Sequence, residues 1–214
     1  MKLFLIAISL VSLCSFAQES KDTKSQALLD KLSTKMKEYK SFYVEFSAHV
    51  KNASTGLNES EIGKGWVKGS KFCASYGDNT IISNGTKTWT VVKEEKSVYE
   101  SDASADDEQS MNPKKLMTIW ESGFKNKYEK EDVLNNEKVH IINLYPKNAG
   151  KVDYHTIIIY ISKDDNELKK AIMKAKDGTT QTFTLTKFTA NPTVEDSKFV
   201  FDIKKYPGYT LIKD

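Results

Sequence analysis

The chain contains no arginine. All 32 of its basic residues are lysines, set against 29 acidic residues for a net charge of +3. Arginine supplies the planar two-pronged donor that grips phosphate and carboxylate, so its absence counts against nucleic-acid binding and anionic head-group clamps. The near balance of charge says the same. Cysteine is almost as scarce, with Cys14 near the start and Cys73 within the body of the chain. A single body cysteine forms no internal disulfide, and one beside Phe72 reads as a small buried hydrophobe. No glycine-rich phosphate loop, closely spaced metal-ligand set or nucleophile motif is present. His49, His140 and His155 fall on separate strand-like runs without metal-like partners. A hydrolase would need Cys73 or a serine within hydrogen-bond reach of one of them. Asp164-Asp-Asn-Glu167 lacks the alternating ligand spacing of a calcium loop and reads as a turn.

What is present begins with one apolar run. Met1-Lys2 supplies a positive start, Leu3 to Leu13 an apolar stretch, and Ser15-Phe16-Ala17 a small-x-small cleavage site before Gln18. The run is short for a bilayer span. The expected division is a signal peptide over 1–17 and a single exported domain over 18–214, placed in a bacterial periplasm. Lipidation at Cys14 is the rival reading, although Leu13 precedes it where a small residue is wanted.

Beyond this leader, Ser25 to Lys40 has the helical spacing Leu28, Leu32, Met36, Tyr39. From Ser41 the period drops to two: Phe42, Val44, Phe46, Ala48 and Val50 alternate with polar or smaller residues, predicting a long half-buried strand. Asn52 to Ser60 reads as a turn-rich connection. A meander of strands is expected at Glu61–Lys68, Lys71–Gly77, Thr80–Ser83, Lys87–Lys93 and Ser97–Ser101, with Asn84-Gly85 as a strong hairpin signal. An acidic link, Ser101 to Asn112, leads to a short apolar helix from Pro113 to Ser122 ahead of Gly123. Strands resume at Lys127–Val133, Glu137–Tyr145, Tyr154–Ser162, Leu168–Lys176 and Thr180–Asn191, with a second hairpin turn at Asp177-Gly178. The run Ile157 to Ile161 predicts a strand covered on both sides. A short strand, Phe199 to Asp202, is expected before Tyr206-Pro-Gly-Tyr209. So many strands in one antiparallel sheet would curl. The fold class is therefore mainly β with lid helices, an α+β curled antiparallel sheet capped by the two helices.

Ala27-Leu-Leu-Asp-Lys-Leu-Ser33, Gly65-Trp-Val-Lys-Gly-Ser-Lys-Phe72, Ile81-Ile-Ser-Asn-Gly-Thr-Lys-Thr-Trp89, Pro113-Lys-Lys-Leu116 and Asp196-Ser-Lys-Phe-Val-Phe201, in that order, resemble the outer-membrane lipoprotein carrier (LolA-like) family. The resemblance covers nearly the whole chain after the leader. It implies an unclosed half-barrel with lid helices over an apolar cavity that shelters acyl chains. It implies acylated lipoproteins or other lipids as cargo, an inner-membrane ABC transporter as donor and an outer-membrane acceptor. It brings neither enzyme activity nor a cofactor, and the chain is expected to be a monomer. The family often carries an arginine in the segment matching Trp66–Phe72 that ties lid to barrel; here Lys68 or Lys71 would serve as a point charge.

Acyl chains in water cost about 0.8 kcal/mol per methylene, so a carrier needs a large apolar surface reached through something that opens. The residues expected to line it are Phe42, Val44, Phe46, Trp66, Phe72, Trp89, Leu116, Met117, Trp120, Phe124, Phe183 and Leu185. Each is equally a candidate for ordinary core. Two rivals remain: a binding module of the same fold for another lipid or glycolipid, and a periplasmic hydrolase.

Overall fold

The computed structural model describes residues 22–103 and 118–213. Helix α1 spans Thr23–Glu38. Its N-cap is Asp22, three residues ahead of the helix start that the apolar spacing predicts. One carboxylate oxygen of Asp22 accepts from the Ser25 N–H at 3.1 Å, and the other accepts from the Tyr128 N–H at 2.6 Å. The cap therefore satisfies an orphan helix donor and ties the helix to the sheet in one residue. Leu29, Leu32 and Met36 are buried along one stripe.

Twelve strands follow: β1 Ser41–Asn52, β2 Leu57–Lys68, β3 Lys71–Tyr76, β4 Asn79–Ser83, β5 Lys87–Val92, β6 Ser97–Asp102, β7 Phe124–Leu134, β8 Glu137–Pro146, β9 Tyr154–Ser162, β10 Leu168–Ala175, β11 Thr180–Ala190 and β12 Thr210–Lys213. They form one sheet in the order β12-β6-β5-β4-β3-β2-β1-β11-β10-β9-β8-β7, open at β12 and β7. All pairs are antiparallel except β12 with β6. The hairpin signals behave as their residues require. Gly85 has φ +93° and Gly178 has φ +87°, the region glycine enters without strain, while the Asn84 side chain accepts from the Thr86 and Lys87 N–H groups.

Sheet curvature follows from what α1 touches. Its apolar stripe shares one cluster with Phe72 of β3, Val67 of β2, Phe42 and Val44 of β1, Leu168 of β10, Ile157, Ile159 and Ile161 of β9, and Ile142 and Leu144 of β8. Laid flat at about 4.8 Å spacing these strands would span roughly 29 Å, far beyond the width of one helix, so the sheet wraps around it. The side facing α1 is the concave face. A bulge assists: Glu45 pairs with Lys187 but Phe46 with Leu185, leaving Thr186 as an extra residue on β11.

Several boundaries differ from the sequence expectation. The first hairpin is longer, because β2 begins at Leu57 and only residues 53–56 turn. The Pro113 helix does not continue as α-helix through its described part, where Ile119–Glu121 is a single 3-10 turn; residues 113–117 lie outside the described residues, as does the leader. No strand forms over Phe199–Asp202. Instead Asp196–Phe199 and Ile203–Lys205 are 3-10 turns, and the last strand lies at β12. Finally, β9 is fully covered on one side only: Ile157, Ile159 and Ile161 are buried, whereas Ile158 and Tyr160 are intermediate.

Candidate functional site: the concave apolar face

Strand register divides the candidate residues between two faces, because directly opposed residues point the same way. Phe42 opposes Val67, which opposes Phe72, and Ala48 opposes Phe183. These belong to the concave face with Val44, Phe46 and Leu185. Trp66 opposes Tyr43 and Cys73, and Trp89 opposes Ile82. The structure thus corrects the expectation for the two tryptophans: both lie on the outer face, away from α1. Their alternation is the same as that of the concave residues, and only register reveals which parity faces inward.

Burial then separates the concave set. Phe42, Val44, Phe72 and Trp120 are between 3% and 5% exposed and form core beneath α1. Trp120 donates its indole N–H to Ser33 Oγ at 2.9 Å, fixing the segment before β7 against the helix. Phe124 is half-buried at the start of β7 and stacks on Tyr154. Leu116 and Met117 lie outside the described residues.

Phe46, Phe183 and Leu185 are different. They are half-buried where α1 no longer covers the sheet, and sequence reasoning missed their neighbours Tyr76, Ile81 and Met173. The Phe46 ring stacks on Tyr76 at 6.2 Å and meets Phe183 at 6.3 Å. Gly63 makes this arrangement possible. It opposes both Phe46 and Tyr76, and a Cβ there would sit 2.2 Å from the tip of the Phe46 ring. The ring lies over bare backbone, so an apolar groove continues from the core beneath α1 across β1, β2 and β3. Toward the far edge, Tyr99 and its partner Ile212 are 37% and 38% exposed. A cleft of about 230 Å³ opens between Met36, Tyr39, Phe42, Val67 and Glu121 at the other end of the helix; that is below the range of a closed ligand cavity.

The outer face of β2–β6 has its own cover, built by the C-terminal segment. Phe199 is fully buried. Phe201 stacks on Trp89 at 5.4 Å and on Tyr206 at 5.6 Å. Lys68 and Lys71 reach Asp196 at 2.8 and 3.2 Å, and Lys68 also donates to the Val194 carbonyl. These are the lysines considered for a lid latch, and they fasten this strap on the side opposite α1. Their hydrogen bonds and charge hold the Asp196 carboxyl below the ordinary aspartate range. Cys73 lies under the strap, half-buried, and burial pushes its thiol upward, away from reactivity.

Among the described residues the geometric condition for a hydrolase is met at one place, where His49 Nδ1 lies 2.8 Å from Ser60 Oγ. This is a cross-strand pair on the outer face of the β1–β2 hairpin, with Ser60 exposed. No described carboxylate orients the ring, and nothing there shapes a cleft, so the pair lacks the remaining parts of a nucleophilic site. No helix among the described residues is long and apolar enough to cross a membrane.

Comparison with known proteins agrees with this architecture. Residues 37–202 match the family model of the outer membrane lipoprotein carrier protein LolA. An uncharacterized conserved protein from Thermus thermophilus superposes with a TM-score of 0.59 at 8% identity, covering 89% of this chain and 99% of that one. LprF from Mycobacterium bovis superposes with a TM-score of 0.53 at 14% identity, covering 82% and 98%. At such identities the likeness is one of fold. No curated protein sequence matches the chain.

Proposed function

The chain belongs to the LolA family of outer membrane lipoprotein carrier proteins, and from that premise we propose that it is an exported carrier whose concave groove holds the acyl chains of lipoproteins. The observation that carries this reading is a half-buried apolar set continuous with the core under α1: Phe46, Ile81, Met173 and Leu185 pack against that core, and Tyr76 and Phe183 extend it through the Phe46 ring. A contiguous apolar surface left in water is costly and marks a binding face. An acyl chain laid there would extend the core by about 0.8 kcal/mol for each methylene desolvated. In this proposal the cargo travels through the periplasm from an inner-membrane transporter to an outer-membrane acceptor. Carriage of a different lipid or glycolipid is the second reading, favoured by the latch lysines standing on the strap side.

Native mass spectrometry of the protein isolated from its own envelope, followed by lipid extraction, tests the proposal. Co-purified acylated polypeptides are the expected result. Phospholipid or glycolipid as sole occupant would move the assignment to the second reading. Empty protein that also takes up no triacylated peptide would overturn both.

A further inference from the structure

Lysines are sorted across this sheet. Strands β1–β6 and β12 carry Lys51, Lys64, Lys68, Lys71, Lys87 and Lys213, and the register places every one on the outer face. Lys51 shares the parity of Tyr43, Lys64 opposes Glu45, Lys68 opposes Lys71, Lys87 opposes Asp102 and Lys213 opposes Glu100. The concave face of the same strands holds no cation. Its only charged residues are Glu59 and Glu61, opposite Val50 and Ala48 at the β1–β2 hairpin end of the groove. Both are exposed. Helix α1 does not compensate. Lys35 is held by Glu167 and Lys37 by Glu121, each at 3.1 Å, and the charge of the exposed Lys31 acts on His140 of β8, which shares the concave face but lies four strands away from β1.

In a chain with so many lysines, a groove wall without any restricts what can lie in it. A carboxylate or phosphate brought to this face would lose water without gaining a partner. It would also meet two like charges at the open end. The Tyr76 hydroxyl registers that field. Burial raises its pKa first, and the carboxylates of Glu61 and Glu59 raise it further. The wall also offers neutral polar groups, since Thr88, Thr90 and Ser101 face the same way as Ile81 and Ser83.

We infer that the groove selects acyl chains carried on an uncharged head group, and that Glu59 and Glu61 set this preference by repelling anionic amphiphiles. The inference rests on the proposed acyl-binding function and narrows its ligand class to neutral glyceryl esters or thioethers. Free fatty acids and anionic phospholipids fall outside it.

Calorimetric titration with two single-chain probes of equal length, monolaurin and laurate, tests this at pH 8 below their micelle concentrations. Monolaurin is expected to bind at least about tenfold more tightly. The double variant Glu59→Gln/Glu61→Gln, altered only at exposed positions, keeps the monolaurin affinity and narrows the ratio by about threefold or more. Laurate binding as tightly as monolaurin, or a ratio untouched by the double variant, would overturn the inference while leaving the acyl-binding function in place. Failure of both probes to bind would remove that function, and the inference with it.

Discussion

Phe46 and Gly63 oppose each other across β1 and β2, and the contact is so close that a single methyl group tests it. A Cβ at Gly63 would fall 2.2 Å from the Phe46 ring tip. Overpacking costs about 1–3 kcal/mol where neighbours are fixed; a half-buried ring can swing aside, so Gly63→Ala is expected to cost about 1 kcal/mol in chemical denaturation. The displaced ring enters the groove, and acyl affinity should fall by more than stability does. Phe46→Leu in the Gly63→Ala background is expected to restore binding. Unchanged affinity in Gly63→Ala would show that the ring does not border the ligand. A second comparison separates groove from core. Phe183→Ser, at a half-buried position, should weaken acyl binding with little loss of stability, whereas Ile159→Ala, fully buried, should cost about 2–5 kcal/mol. Equal stability losses would place Phe183 in the core. At this scale the sequence displayed the right residue types but not their faces. Phe46, Phe183 and Leu185 alternate as Trp66 and Trp89 do, and parity within a strand carries no sign until neighbouring strands fix it.

Whole elements were more legible where a local rule dictates them. The β1 alternation, the Gly85 and Gly178 turns and the apolar stripe of α1 all follow from side-chain period or glycine's backbone freedom. The C-terminal strap was not legible, because it has no period. Its anchors are one buried phenylalanine, a stack of rings and an ion pair to lysines far earlier in the chain. Asp196 makes the strap pH-sensitive. Its carboxyl pKa is depressed in the folded protein by Lys68 and then Lys71, so the unfolded chain binds that proton first as acid is added. The contribution is fully present above the ordinary aspartate value of 3.8 and is lost as pH falls through the lower folded value. Asp196→Asn is therefore expected to lower the thermal midpoint at pH 6 and to match the unaltered protein near pH 2. High salt should narrow the difference at pH 6, since the pair is exposed. A gap persisting at pH 2 would mean that the carboxamide fails for reasons of packing. Phe199→Ala bears on the same element through the core, and a cost of about 3–5 kcal/mol is expected.

At the scale of the whole molecule, one sheet carries two unlike coverings. The strap closes the outer side of β2–β6 with aromatic packing, while α1 closes the inner side of β8–β10 and leaves Ile81, Tyr99 and Ile212 partly in water. A ligand on that inner side meets protein on one flank. This geometry has a measurable signature in the dependence of affinity on acyl length. A methylene transferred wholly out of water contributes about 0.8 kcal/mol, or roughly fourfold in Kd. One lying against a single wall keeps part of its surface wet, and burial energy scales with area. Titrating monoacylglycerols of increasing length should therefore give about half the full increment, close to twofold per methylene, for the groove as it stands here. A fourfold increment would mean that binding draws further parts of the chain over the ligand, turning the open face into an enclosed one. An increment near zero would place the acyl chain off this face altogether, since no apolar surface would then be removed from water as the chain grows.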